Sequence, residues 1–139
     1  MSVEHTRKVM EKYWESVGTD VTLFAEDVVY TLMATGEEAR TPHGVLQMLT
    51  YFYHVAFDAV AETKTTIIGD GHALWEGYLV GRHTGEYVGI PVTGKSVRVP
   101  LTVIYDIEDD RIKGARIYLE VPVLLEQLGV NQQTSQAGK

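Results

Sequence analysis

The sequence predicts an α+β fold, a cone-shaped roll of N-terminal helices packed on a curved antiparallel sheet and closed by a short C-terminal helix. Apolar residues keep helical spacing to about residue 60 and then recur at a period of two, the signature of strands. Within the strand-like half, Gly77, Gly81, Gly85 and Gly89 repeat every fourth position and so share one face. A length of 139 residues with 45% hydrophobic content is enough for one core, and one domain over residues 1–130 is expected.

Ser2 is a plausible N-cap, and Val9, Met10, Tyr13, Trp14 and Val17 follow at helical spacing before Gly18 supplies a stop. Asp20 can cap a short helix through Ala25, after which Val28 to Thr35 is β-branched and aromatic enough for a strand. Thr41 and Pro42 open a third helix whose wide apolar stripe, Val45 to Phe57, predicts substantial burial. Strands are expected at 63–68, 72–88, 95–107 and 111–121, joined by short turns that make successive strands antiparallel. Pro122 opens the closing helix, Gly129 ends it, and 131–139 reads as a polar tail.

The formal net charge of −7 and the lack of any Lys/Arg cluster argue against nucleic acid or an anionic membrane as partner. With no cysteine, thiol nucleophiles, disulfides and thiolate metal sites are excluded. The five histidines show no metal-ligand spacing, so no metal is expected. The charged N-terminus is unlike a signal peptide and no long apolar run exists, which makes the cytoplasm the default location.

Gly89-Ile90-Pro91-Val92-Thr93-Gly94-Lys95-Ser96 matches the phosphate-loop expression G-x-x-x-x-G-K-S as text. That motif needs a helix at its exit to hold phosphates on N–H groups, whereas Val97 to Val103 alternates like a strand and contains Pro100. A β-turn with a surface lysine is the reading adopted.

The glycine face of the second strand carries Trp75, Leu79, His83 and Tyr87 between its gaps. Such a strand must bend or accept close approach of another backbone, giving a concave face that holds either a pocket or a packed helix. His83 is the only histidine on that face, either a proton carrier or a hydrogen-bonded core residue. In the last strand, alternation places Ala115, Ile117, Leu119 and Val121 inward and Arg116, Tyr118 and Glu120 outward. A cone whose convex face is covered by a second copy would reverse this and turn Glu120 into the pocket.

His83-Thr84-Gly85-Glu86-Tyr87-Val88-Gly89-Ile90-Pro91-Val92-Thr93-Gly94-Lys95, followed by Glu120 to Gly129 with its Leu124-Leu125-Glu126-Gln127-Leu128-Gly129 ending, resembles the SnoaL-like polyketide cyclase family of the nuclear-transport-factor-two-like superfamily. Weaker likenesses upstream, at Asp27 to Tyr30, His43 to Val45 and Ala56 to Asp58, extend it over nearly the whole chain. The resemblance implies a homodimer with a deep apolar pocket, no cofactor, and aldol-type cyclisation by a pocket Asp acting as acid and base.

Glu120 stands at the position of that Asp, one methylene longer, a change of about 1 Å that can cost roughly a hundredfold in rate. On this reading Glu120 and His83 are the catalytic candidates. Tyr13, Tyr30, Trp75, Tyr87 and Tyr118 are the candidate contacts to a small hydrophobic carbonyl compound. Epoxide hydrolysis of the limonene-epoxide-hydrolase type, and a noncatalytic binding module, stand as the alternatives.

Overall fold

Ser2 starts the first helix by accepting the His5 N–H at 3.2 Å, and α1 runs Val3–Glu15 with Val9, Met10 and Tyr13 on its buried face. This computed structural model describes residues 2–130, so the expected polar tail at 131–139 lies outside the described residues. Thr6 is fully buried. Its hydroxyl donates to the Ser2 carbonyl at 3.0 Å and accepts the Gly71 N–H at 2.9 Å, fastening α1 to a distant turn of the sheet.

Asp20 caps a single 3₁₀ turn, Val21–Leu23, by accepting the Thr22 N–H. The chain then enters β1 (Phe24–Leu32), a short β2 (Glu37–Arg40) and α2 (Pro42–Thr50), where the Thr41 hydroxyl accepts the Gly44 N–H at 3.1 Å. The helix does not stop at Thr50. It widens into a π-helical segment, Tyr51–Ala56, whose end is marked by the Phe57 N–H reaching back five residues to the Phe52 carbonyl. Four strands follow, β3 (Phe57–Ile68), β4 (His72–His83), β5 (Ser96–Glu108) and β6 (Arg111–Leu119), and then α3 (Val121–Gln127). None of the helices among the described residues is long and apolar enough to cross a membrane.

The α+β class and the closing helix are as expected, with six strands in the order β2-β1-β6-β5-β4-β3. One pairing adds to the expectation. β1 lies parallel to β6, because the long segment between them leaves room for a crossover that a hairpin does not. The expected strand set lacks β2 because Glu37-Glu38-Ala39-Arg40 has no apolar alternation, the composition of an exposed edge strand.

The glycine series separates into two uses. At Gly77 the place of a Cβ is taken by the Glu62 carbonyl, with the Trp75 ring 2.7 Å away, and at Gly81 by the backbone of Asp58 and Ala59. These positions let β3 press onto β4 and let Trp75 lie along its own strand. Gly89 instead pairs its φ of +81° with +45° at Val88, making the tight turn between Tyr87 and Ile90.

β4 therefore ends at His83 and not at 88. Beyond it, the Thr84 and Gly85 N–H groups both donate to the Ala56 carbonyl at the end of the π-helix, leaving the strand ladder.

Alternation along β5 sends Val97, Val99, Leu101, Val103, Tyr105 and Ile107 to the helices. Its other face carries Arg98, Pro100, Thr102, Ile104 and Asp106, in register with Val80, Tyr78, Glu76, Leu74 and His72 of β4. This second face is the outer, convex one.

Candidate functional site

Between the helices and the inner sheet face lies a cavity of about 740 Å³, within the range that ligand pockets occupy. Most of its wall is apolar or aromatic. Four of the residues expected to contact a ligand line it: Tyr13 from α1, Tyr30 from β1, Trp75 from β4 and Tyr87 from the turn segment. Sequence reasoning missed Trp14, Tyr53 and Tyr105, which also line it, together with His54, Glu37 and Glu86. Tyr105 is readable from the period-two pattern of β5. Tyr53 and His54 are not, because a regular α-helix presents neighbouring residues about 100° apart and only the wider π-helical turn brings Tyr51 through His54 to one cavity.

The polar chemistry of the interior is phenolic. The Tyr30 hydroxyl donates to that of Tyr13 at 2.7 Å, and Tyr13, Tyr30 and Tyr105 pack edge to face, with the Tyr105 ring centroid 5.8 Å from that of Tyr13 and 6.3 Å from that of Tyr30. Burial raises the proton affinity of Tyr13, Tyr30 and Tyr105 well above that of a free phenol, and it pushes Tyr53 up to about 12. These groups are protonated throughout the physiological range. Trp75 is fixed as a wall, since its indole N–H donates to the Thr63 hydroxyl at 2.9 Å.

Ionisable side chains sit at the rim. His54, Glu37 and Glu86 are exposed as residues yet border the cavity. The Glu86 carboxylate accepts the Gly89 N–H at 3.2 Å, and the Tyr51 hydroxyl donates to the Glu86 carbonyl, which ties the turn segment to the π-helix. Two exposed valines on the cavity wall, Val17 and Val88, have left-handed backbone, with φ of 55° and 45°. A β-branched residue in that region is strained, and both stand directly before a glycine that shares the conformation.

Glu120 does not enter the cavity, contrary to the expectation that it points inward with Tyr118 and Arg116. It is exposed, its N–H donates to the Pro100 carbonyl at 3.2 Å, and it leads into α3 as the N-cap position. The pleat of β6 is unbroken at this end, so Leu119 faces in and its neighbours face out. Tyr118 is 41% exposed and Arg116 pairs with Asp106 at 2.7 Å on the outer face. Simple alternation prevails because the inner face is filled by Tyr105, Val103 and Ile117, and nothing drives a reversal.

His83 faces inward but is fully buried behind the cavity and is not part of its wall. Its Nδ1 accepts the Thr93 N–H at 3.2 Å and lies 3.0 Å from the Thr93 hydroxyl, which places the ring proton on Nε2. The ring packs on Phe57 at 5.3 Å. This is a histidine holding the turn segment to β4, the structural alternative weighed for it.

The architecture is that of an α+β cone with a cavity between its helices and its sheet. The chain belongs to the SnoaL-like polyketide cyclase family, which it matches over residues 4–128. No curated protein matches it. Among solved structures it is similar to TsrD from Streptomyces laurentii, at 19% identity and TM-score 0.74, covering 92% of this chain and 97% of that one. It is also similar to a candidate polyketide cyclase from Xanthomonas campestris pv. campestris, at 16% identity and TM-score 0.77, covering 90% and 97%. A protein of ketosteroid-isomerase-like fold from Catenulispora acidiphila, in complex with trimethylamine, matches at 17% identity and TM-score 0.71, covering 91% and 95%. At these identities the likeness is one of fold.

Proposed function

We propose that the chain is a cytoplasmic enzyme that catalyses cofactor-independent proton transfer, an aldol-type cyclisation or an isomerisation, on a small hydrophobic carbonyl compound. The observation that carries this reading is an apolar cavity whose interior polar groups are protonated phenols while its proton acceptors stand at the rim. A base at the rim removes a proton next to the substrate carbonyl, and a phenol donates to the oxygen on which negative charge develops.

His54 is the base in this scheme. Imidazole exchanges protons near neutral pH, and His54 is the histidine on the cavity wall. Glu86 is committed to the turn, and Glu37 lies on the edge strand. With a turnover assay on an enolisable hydrophobic ketone, His54→Gln should lower kcat by about 10²–10⁴-fold, whereas Glu120→Gln should leave it unchanged. Full activity in His54→Gln, or loss of activity in Glu120→Gln with unchanged folding, would overturn the assignment.

The outer sheet face supports a homodimer. Leu74, Tyr78, Val80, Pro100 and Ile104 form a half-buried patch there, bordered by the Arg98–Glu62 and Arg116–Asp106 pairs.

A second reading, a noncatalytic binding module, is favoured by one observation: the carboxylates that border the cavity, Glu37 and Glu86, stand at its rim and none is enclosed within it. Ligand binding that survives in His54→Gln, with no turnover in the unmodified protein, is its expected signature.

A further inference from the structure

The fixed charge at the cavity mouth has one sign. No lysine or arginine lines the cavity, and its two carboxylates, Glu37 from β2 and Glu86 from the turn segment, make no ion pair among the described residues. Their field reaches the wall. Glu37 adds to burial in raising the proton affinity of Tyr87, and Glu86 adds to it at Tyr51.

Exposed carboxylates alone are ordinary surface, but here a buried polar group stands with them. Tyr87 is only 8% exposed and lines the cavity, and its hydroxyl makes no hydrogen bond among the described residues. Its neighbours differ: Tyr30 bonds Tyr13, and Tyr51 bonds Glu86. A phenol enclosed this far ordinarily has a partner. The Tyr87 ring is held between Phe52 and Phe57, with centroids 5.5 and 5.3 Å away, so the cavity is where its hydroxyl finds one.

A donor that carries positive charge suits these acceptors. A protonated amine has N–H groups and no lone pair, so it donates to the Tyr87 oxygen, is drawn by Glu37 and Glu86, and rests against the rings of Tyr87 and Phe52. A carboxylate or phosphate meets like charge with no lysine or arginine to offset it. A neutral hydroxyl gains the phenol bond alone.

We infer that the cavity takes an amphiphilic cation, a primary ammonium on a hydrophobic body, with the ammonium at the Tyr87 hydroxyl beside Glu37 and Glu86 and the body along the apolar wall. This site rests on the reading of the cavity as the ligand pocket, and it narrows the carbonyl substrate proposed above to one bearing a basic amino group. It does not depend on His54.

The test titrates three probes of similar shape, tryptamine, tryptophol and indoleacetate, into the full chain by calorimetry at about pH 7.5, where the amine is an ammonium. Tryptamine should bind about tenfold or more tighter than tryptophol, and indoleacetate should bind more weakly than either. This ranking is read on the unmodified protein and needs no variant to fold. Glu37→Gln and Tyr87→Phe should each cut the advantage of the amine by about threefold or more, leaving tryptophol unchanged. Glu86→Gln, which keeps an oxygen for the Gly89 N–H, should cut it as well. Glu120→Gln removes the same charge outside the cavity and should leave the advantage intact.

Equal affinity for tryptamine and tryptophol, tighter binding of indoleacetate, or an undiminished preference in folded Glu37→Gln and Tyr87→Phe overturns the inference. Failure of all three probes to bind overturns it together with the ligand pocket. A protein that prefers the amine yet turns over no amino ketone keeps the site and rejects the enzymatic reading. One that turns over a neutral ketone while binding tryptophol as tightly as tryptamine keeps the enzymatic reading and rejects the site.

Discussion

Tyr30 donates its hydroxyl to Tyr13 at 2.7 Å, joining β1 to α1 across the edge of the cavity, with both side chains buried. Removing either hydroxyl leaves the other buried without this partner. Tyr13→Phe and Tyr30→Phe should therefore each destabilise by about 1–3 kcal/mol, as read from urea unfolding midpoints.

The phenols also set the alkaline limit of the fold. Burial raises the folded-state proton affinity of Tyr13, Tyr30 and Tyr105 and pushes Tyr53 and Tyr87 up to about 12, against about 10 in the unfolded chain. Raised groups contribute stability that is intact below about pH 10 and is lost as pH climbs through the folded values. Stability measured by denaturant titration should therefore be flat from neutral pH to about 10 and fall steeply between about 10 and about 12. The share of the tyrosinate absorbance that belongs to these buried phenols should rise in step with unfolding.

The backbone contacts at the glycines of β4 leave no space for a side chain. Gly81→Ala would drive a methyl into the Asp58 carbonyl and Ala59, and Gly77→Ala into the Glu62 carbonyl and the Trp75 ring. Each should cost about 1–3 kcal/mol or more, and Gly77→Ala should also displace Trp75, read as a change in tryptophan fluorescence. Gly36→Ala, where a Cβ has open space, is the contrast: only its φ of +78° opposes the change.

If the outer face joins two copies, a charge within its apolar patch should separate them. Leu74→Glu is expected to shift the protein from dimer to monomer in sedimentation equilibrium while the cavity, on the opposite face, keeps its ligand.

The parts of the fold legible in the sequence are those governed by local periodicity. The helix stripe of α1, the Thr41-Pro42 start of α2 and the alternation of β5 all read correctly, because each depends on residues near one another in the chain. The parallel β1–β6 pair depends on a partner far away in the chain, and the edge strand β2, although it forms a hairpin with β1, has no apolar alternation to mark it.

Of the aromatic residues that line the cavity, four are legible in the sequence, Trp14, Tyr53 and Tyr105 are not, and Tyr118 is expected there but lies outside. Tyr13, Tyr30, Trp75 and Tyr87 follow from burial and face. Glu120 is pointed to by likeness to a motif and His83 by its place on the glycine face, yet one lies outside the cone and the Nδ1 of the other is occupied with Thr93. Alternation in β6 points Glu120 outward, and the local rule is the better guide.

The π-helical stretch at Tyr51–Ala56 has a bearing on how such a pocket can change. Its shape depends on the number of residues between Thr50 and Phe57 as much as on their identity, since the wide turn is what sets Tyr53 and His54 side by side. Point substitutions can recolour that wall but cannot reshape it. Loss of a single residue would tighten the turn and rotate everything beyond it, so insertion and deletion, more than exchange, are the moves that give this cavity a new outline.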